Sequence, residues 1–220
     1  VDKAGTKRGM GGVMSQFYID RKKIGGNRVI VTGAEAHHLL DTRRIKPGEE
    51  VKFTDGIGGQ YRAKLVSSNK KEAVLEILEQ MKERPLSPFA IALPLIDFDR
   101  LEWALEKCTE LGCAEFWFIT TDRTQLTLRF ETAEKKRLRW HRIALEAIKQ
   151  SENCYIPDIQ PILPLCDLLN QWKGSVIAFH QSGQPLVRHP ESRRSEGSRS
   201  LLLIGPEGGW SPEELALFQE

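Results

Sequence analysis

An α/β domain with a parallel sheet, preceded by a small β-barrel, is the architecture this chain predicts, and three features carry the prediction. Up to residue 84, short runs of strand composition follow one another, several alternating apolar and polar residues. From Phe89 onward, continuous apolar runs alternate with amphipathic helical segments, the pattern of a buried parallel sheet with helices on both faces. Between the two lies Glu83-Arg-Pro-Leu-Ser-Pro88, whose two prolines in four residues interrupt any regular element. The organisation expected is therefore a barrel over residues 14–84 and an α/β domain over 89–220. Residues 1–13 have no apolar period and are read as a disordered extension or an expression remnant.

In the front part, Val29–Thr32, Val51–Thr54, Tyr61–Val66 and Ala73–Leu78 have strand composition. Asp55-Gly-Ile-Gly-Gly59 reads as a hairpin loop joining two of them, and Ala34–Leu40 reads as a short helix. Arg43, Arg44 and Lys46 follow that helix, and Pro47-Gly48 closes the segment with a turn. In the rear part, Phe89–Leu93, Phe116–Thr120, Ser175–His180 and Leu201–Ile204 read as buried strands. Asp99–Leu111 is a helix with Leu101, Ala104, Leu105, Cys108 and Leu111 on one face, ended by Gly112. Ala133–Ser151 is a longer helix, apolar at Leu138, Leu145 and Ile148 and basic at Lys135, Arg139 and Arg142. Arg188–Ser200 reads as a surface loop.

The last strand leads into the most informative stretch, Leu201-Leu-Leu-Ile-Gly-Pro-Glu-Gly-Gly-Trp-Ser-Pro-Glu-Glu214. Gly205, Pro206, Gly208 and Gly209 make a tight loop without bulky side chains. Ser211 is placed as an N-cap, Pro212 as the first helical residue and Glu214 as the third. A strand running through a glycine loop into a helix is how α/β proteins hold a small ligand, and an ordinary strand-to-helix turn shares the spacing.

Charge divides unevenly. Residues 1–84 carry 17 Lys+Arg against 11 Asp+Glu, whereas residues 85–220 carry 15 against 19. A basic front part suits a polyanion, most simply RNA, and equally a lysine-rich surface without a partner. No apolar run is long enough to cross a membrane and no secretory signal is legible, so a cytoplasmic location is expected. The four cysteines form no Cys-x-x-Cys and the five histidines are scattered, so no metal site is expected. No G-x-G-x-x-G occurs, which weighs against a dinucleotide-binding enzyme.

Five motifs, in order, resemble one family. Leu203-Ile-Gly-Pro-Glu-Gly-Gly209 resembles its LIGPEGG, and Lys107-Cys-Thr-Glu-Leu-Gly112 its K-x-T/S-E-L-G. Thr121-Asp-Arg123 resembles S-E-R; in the barrel, His38-Leu through Arg44 and Asp55-Gly56 stand where the family has H-L/I-x-x-V-L-R and D-G. The family is the RsmE-type 16S rRNA uridine-N3 methyltransferases of the SPOUT superfamily. The resemblance implies a PUA-like barrel followed by a parallel sheet tied in a trefoil knot, S-adenosyl-L-methionine as cofactor, and a homodimer formed through the SPOUT domain. It implies cofactor binding by Ile204, Gly205, Pro206, Glu207, Gly208 and Gly209, with Phe179, His180 and Gln181 as a second wall. It further implies that Arg44, Arg100, Lys107 and Arg123 face 16S rRNA of the small ribosomal subunit; Arg43 is placed with them from the basic barrel segment.

Three departures are visible. Lys149-Gln-Ser-Glu-Asn153 stands where the family often reads E-Q-S/C-x-R, and Arg100 stands where a Lys is usual. The family's L-G-x-R-I/V-L-R-x-E-T-A segment, which completes the knot and a third cofactor wall, is not found before Glu220. No side chain stands out as a catalytic base; His180 reads as a structural or cofactor-shaping residue. Glu207 reads as a loop-shaping carboxylate bound to backbone amides rather than a base. Rival readings are a SPOUT enzyme acting on another RNA position and a non-catalytic RNA-binding or ribosome-assembly factor.

Overall fold

The computed structural model describes residues 16–81, 87–124, 126, 130–180, 186–188 and 199–218, the side chains of 130 and 186–188 excepted. The N-terminal extension, Gln181 and most of the segment between Arg188 and Ser200 lie outside the described residues. Two compact units are present, the second of which includes Gly56–Gly59.

The first unit has strands β1 (Phe17–Tyr18), β2 (Ile24–Gly25), β3 (Arg28–Thr32), β4 (Glu50–Thr54), β5 (Gln60–Ser68) and β6 (Glu72–Met81), with the short helix α1 (Ala34–His37). The strands form one sheet in the order β1-β4-β5-β6-β3-β2, antiparallel except for the β1–β4 pair. Alternation sets the inner face: Val29, Val31, Val51, Phe53, Ala63, Leu65 and Leu75 share one core with Ala36 and Leu39 of the helical segment. The helix expected over Ala34–Leu40 continues past His37 as a π-type turn, His38–Thr42. Asp55, of the D-G motif, has a buried carboxylate that accepts from Arg21 Nη1 (2.9 Å) and Tyr61 Oη (3.2 Å).

The second unit runs β7 (Phe89–Pro94), α2 (Phe98–Glu110), β8 (Glu115–Thr120), α3 (Phe130–Ser151), β9 (Asp158–Ile159), β10 (Leu163–Pro164), α4 (Leu165–Gln171), β11 (Val176–Ala178), β12 (Leu186–Arg188), β13 (Ser200–Leu203) and α5 (Pro212–Leu217). The sheet order is β10-β8-β7-β13-β11-β12, with β9 also on β8. Every pairing is parallel except the β11–β12 edge. Successive residues serve opposite faces, so Ala92, Trp117, Ile119 and Leu203 pack with Leu165, Leu168 and Phe218. Leu93, Phe116 and Phe118 pack instead with Leu101, Leu105, Trp140 and Ala144 of α2 and α3.

Several sequence expectations are corrected. Leu111 caps α2 and is exposed, because the chain turns off the helix there through Gly112 in a left-handed conformation (φ 87°). On α3, Leu138 is exposed and the buried stripe is Trp140, Ala144, Ala147 and Ile148. Trp140 is fully buried and lies against Phe118, with ring centroids 3.9 Å apart. Arg139 of the basic stripe is exposed as a solvated face would be, and in addition makes a two-pronged bond of 2.7 Å per arm to the largely buried Glu102. Arg188 belongs to the edge strand β12, and the short elements β9, β10 and α4 had no distinct sequence signature.

Candidate active site

Four parallel strands end side by side. Ala178 is paired with Leu203, Leu203 with Ala92, and Ala92 with Trp117, so the segments leaving β11, β13, β7 and β8 are neighbours at the carboxyl edge. Ligands bind at this edge in open α/β sheets because the loops diverge there. The backbone pairing continues one step past the strands: Phe179 N–H donates to Leu203 O (2.9 Å) and Ile204 N–H to Ala92 O (3.1 Å). Phe179 and Ile204 therefore sit beside each other, and the two residues are 49% and 43% exposed.

Beyond Ile204 the glycine loop turns tightly, Gly209 N–H donating to Pro206 O (2.8 Å). Gly209 has φ 71°, a left-handed conformation that side chains resist. At Gly205 the constraint is space, since a Cβ there would lie 3.0 Å from the Trp210 ring. Trp210 is buried, packs edge-on against Phe218, and donates its Nε1–H to Phe179 O (2.9 Å). One indole thus ties the loop after β13 to the segment after β11. The helix start reads as the sequence predicts: Ser211 and Glu214 form a reciprocal capping box, with Pro212 in the first turn of α5.

On the other side of the loop, Pro206, Glu207 and Gly208 line a cleft of about 1000 Å³ together with Leu95, Ile96, Asp97, Arg100, Asp122, Arg123, Thr124 and Leu126. Arg100 comes from the first turn of α2, where Asp97 caps the helix by accepting from the amides of Asp99 and Arg100. Its guanidinium pairs with the Glu207 carboxylate. Arg123 donates to the carbonyl of Gly208 from the turn after β8. Glu207 does not take the role the sequence suggested for it, since its carboxylate reaches across to Arg100 rather than to its own loop amides. Two cations thus flank the glycine loop through exposed contacts that a ligand can displace.

The remaining expected residues lie elsewhere. Lys107 is not in the cleft lining; its ammonium bonds Glu106 (2.7 Å) and Glu110 (2.9 Å), which hold its pKa above the usual value. Arg43 and Arg44 are exposed in the first unit, and Arg44 adopts φ 53°, uncommon for a side-chain-bearing residue. His180 is half-buried directly after Phe179. Asn153, standing where the resembled family often has Arg, donates to the carbonyls of Thr109 and Glu110 at the end of α2 (2.9 and 2.7 Å). That position therefore serves helix termination. Sequence reasoning missed Trp210 as an anchor, since the carbonyl it bonds belongs to Phe179, 31 residues earlier. Asp97 could have been found from the Asp that precedes an amphipathic run.

Residues 82–220 match the RNA methyltransferase domain model, and residues 31–78 match the RNA methyltransferase PUA domain model. The chain belongs to this RNA methyltransferase family. Among the relatives of this family member, the Ribosomal RNA small subunit methyltransferase E of Bacillus subtilis is 30% identical over 200 residues, covering 86% of this chain and 78% of that protein. The Synechocystis protein of the same name is 29% identical over 194 residues, covering 86% and 62%. A crystal structure of a Ribosomal RNA small subunit methyltransferase E from Neisseria gonorrhoeae bound to S-adenosyl methionine is similar, with TM-score 0.73 and 25% identity over 94% of this chain and 85% of that one. A probable rRNA-methyltransferase from Porphyromonas gingivalis is also similar, with TM-score 0.72 and 25% identity over 93% and 85%.

Proposed function

We propose that this chain transfers a methyl group from S-adenosylmethionine to N3 of a uridine in 16S rRNA of the small ribosomal subunit, acting as a homodimer in the cytoplasm. One observation carries the reading: at the carboxyl edge of the sheet, a glycine loop has an exposed apolar pair on one side and two arginines on the other. Phe179 and Ile204 offer an uncovered apolar surface, and the adjoining loop exposes Glu207 and Gly208. Such a surface fits the adenosine and methionine parts of the cofactor, so Phe179, His180 and Ile204–Gly209 would hold it, with Gln181 added from the family resemblance alone. When bound, the cofactor supplies an activated methyl on a sulfonium.

The protein's own task is then positioning and charge. Holding nucleophile and methyl donor in line can contribute up to about 7–11 kcal/mol. Uridine N3 must lose its proton, which passes to solvent water, and the negative charge that develops spreads onto the two ring carbonyl oxygens. Arg100 and Arg123 at the cleft stabilise that charge, each as a preorganised cation in a partly enclosed site. Glu207 keeps Arg100 aimed at the cleft until substrate arrives. The basic front part, with Arg43 and Arg44 exposed, supplies contacts to the RNA backbone, and Lys107 supplies a weaker one from its acidic neighbourhood.

The test is tritiated methyl transfer to small ribosomal subunits followed by nuclease mapping. The expected product is 3-methyluridine in 16S rRNA, and a 2′-O-methyl product would overturn the base assignment. Glu207→Gln separates two roles of the carboxylate: turnover lost at neutral pH and regained as pH rises makes Glu207 the base, whereas turnover retained, or lowered equally at every pH, supports the positioning role. Sedimentation of the chain at micromolar concentration tests the dimer.

A further inference from the structure

Glu214 begins as a helix cap and ends as something more. Its side chain is buried, and each carboxylate oxygen has a separate partner. Oε2 accepts from the Ser211 amide (2.9 Å), which completes the capping box of α5. Oε1 accepts from the amide of Asp122 (2.9 Å), which belongs to the turn after β8, 92 residues earlier in the chain. A second link runs parallel to the first: Ser211 Oγ donates to the Asp122 carboxylate (2.5 Å) while accepting from the Glu214 amide (3.1 Å). Within the turn, Thr124 Oγ1 accepts from the Thr121 amide (2.8 Å) and Thr124 N–H donates to Thr121 O (3.0 Å), so the turn has little freedom of its own. A helix needs only the bond to Ser211 for its cap; the bond to Asp122 does nothing for α5.

What it does is fix Arg123. The residue after Asp122 extends to the Gly208 carbonyl, in the same glycine loop that leads into Ser211 and Glu214. The two loops therefore meet at two places, one through Arg123 and one through Glu214, and the cleft is lined by residues of both. We infer that Glu214 is a positioning residue for methyl transfer: through its bridge between the Ser211 and Asp122 amides, it sets where Arg123 presents its guanidinium to the reacting base. This rests on the methyltransferase reading above. A carboxylate is the side chain suited to the task, because both of its oxygens accept and a glutamine offers one acceptor only.

The experiment measures single-turnover methyl transfer to small ribosomal subunits, with rate and apparent subunit affinity separated, for the wild type, Glu214→Gln, Arg123→Ala and the double variant. Glu214→Gln is expected to lower the rate about tenfold, as loss of alignment does, with subunit affinity within about twofold. In the Arg123→Ala background the same substitution is expected to change the rate by less than about twofold, because the group it positions is gone. A full tenfold loss in both backgrounds, or a wild-type rate for Glu214→Gln, overturns the inference. Should Glu214→Gln melt before assay temperature, Asp122→Pro carries the same comparison, since proline suits the second position of this turn, lacks the amide from which Glu214 Oε1 accepts, and leaves the capping box intact. A wild-type chain without transfer removes the methyltransferase reading itself, and that is seen before any variant is compared.

Discussion

The two edges of the parallel sheet both hold an arginine–carboxylate pair, and the pairs differ in kind. At the carboxyl edge, Arg100 and Glu207 are 67% and 73% exposed at the side chain. At the amino edge, Arg199 and Glu115 are 35% and 12% exposed and lie 2.7 Å apart. Glu115 also accepts from Gln160 (2.9 Å), and burial pushes its carboxyl above the usual range against the pull of Arg199. An exposed pair gives up little when a ligand replaces one partner, because water and ligand both compensate the charge. An enclosed pair strands a charge when broken. The first arrangement suits a site that must open to substrate, the second a seam that keeps strands β8, β9 and β13 aligned.

The largest effect expected separates the two edges by function. Arg123→Ala at the carboxyl edge should lower methyl transfer by about 10²–10³-fold, the loss typical of removing one preorganised donor. Its melting temperature should stay near the wild type. Arg199→Ala should do the reverse, leaving the transfer rate near wild type while lowering stability by about 1–3 kcal/mol in denaturant titration, because Glu115 loses its charged partner. Equal loss of transfer in both variants would dissolve the distinction between the edges.

Gly205→Ala comes next. Its Cβ would press on the Trp210 ring at 3.0 Å. Calorimetry should show weaker S-adenosylmethionine binding and thermal melting a stability loss of about 1–3 kcal/mol, the range for an overpacked site. Unchanged affinity would mean that the loop after β13 is not a cofactor wall.

Thiol chemistry gives a graded readout of enclosure. Cys113, just before β8 at the amino edge, has its pKa pushed up to about 12 chiefly by burial, whereas Cys166 is exposed. Iodoacetamide at pH 8, read by peptide mass spectrometry, should label Cys166 and leave Cys113 unmodified in the folded chain. Labelling of Cys113 at a comparable rate would show that the amino edge opens.

The smallest effect is a pH dependence. Burial, and then the nearby Arg137, lower the pKa of His141, and Asp158 opposes them. The folded state therefore favours neutral imidazole. The stability it contributes is present above the ordinary histidine pKa of about 6.5 and is lost as pH falls through the lowered one. The melting temperature should drop between pH 7.5 and 5.5, and His141→Gln should flatten that drop. An identical pH profile in the variant would assign the drop to other groups.

Much of the candidate site was legible because its signals are local. The glycine loop, the Ser211 cap, Pro212 and Glu214 lie within ten residues and obey rules that span three or four positions. The parallel sheet was legible from its apolar runs, and the RNA methyltransferase family from five short motifs. What was not legible has one cause. Trp140 reaches Phe118, Arg139 reaches Glu102, Arg100 reaches Glu207 and Glu214 reaches Asp122, across separations of 22 residues for the first and 37, 107 and 92 for the others. Leu138 and Leu145 looked like the apolar side of α3, yet the buried stripe rotates to Trp140 and Ala144 because Phe116 and Phe118 of β8 lie beneath it. The sequence by itself therefore determined the order of the principal strands and helices, the turn and cap of the glycine loop, and the family. Only the tertiary structure decided which charges are held and which can be displaced, because the enclosure of a charge depends on what the other elements bring to its side.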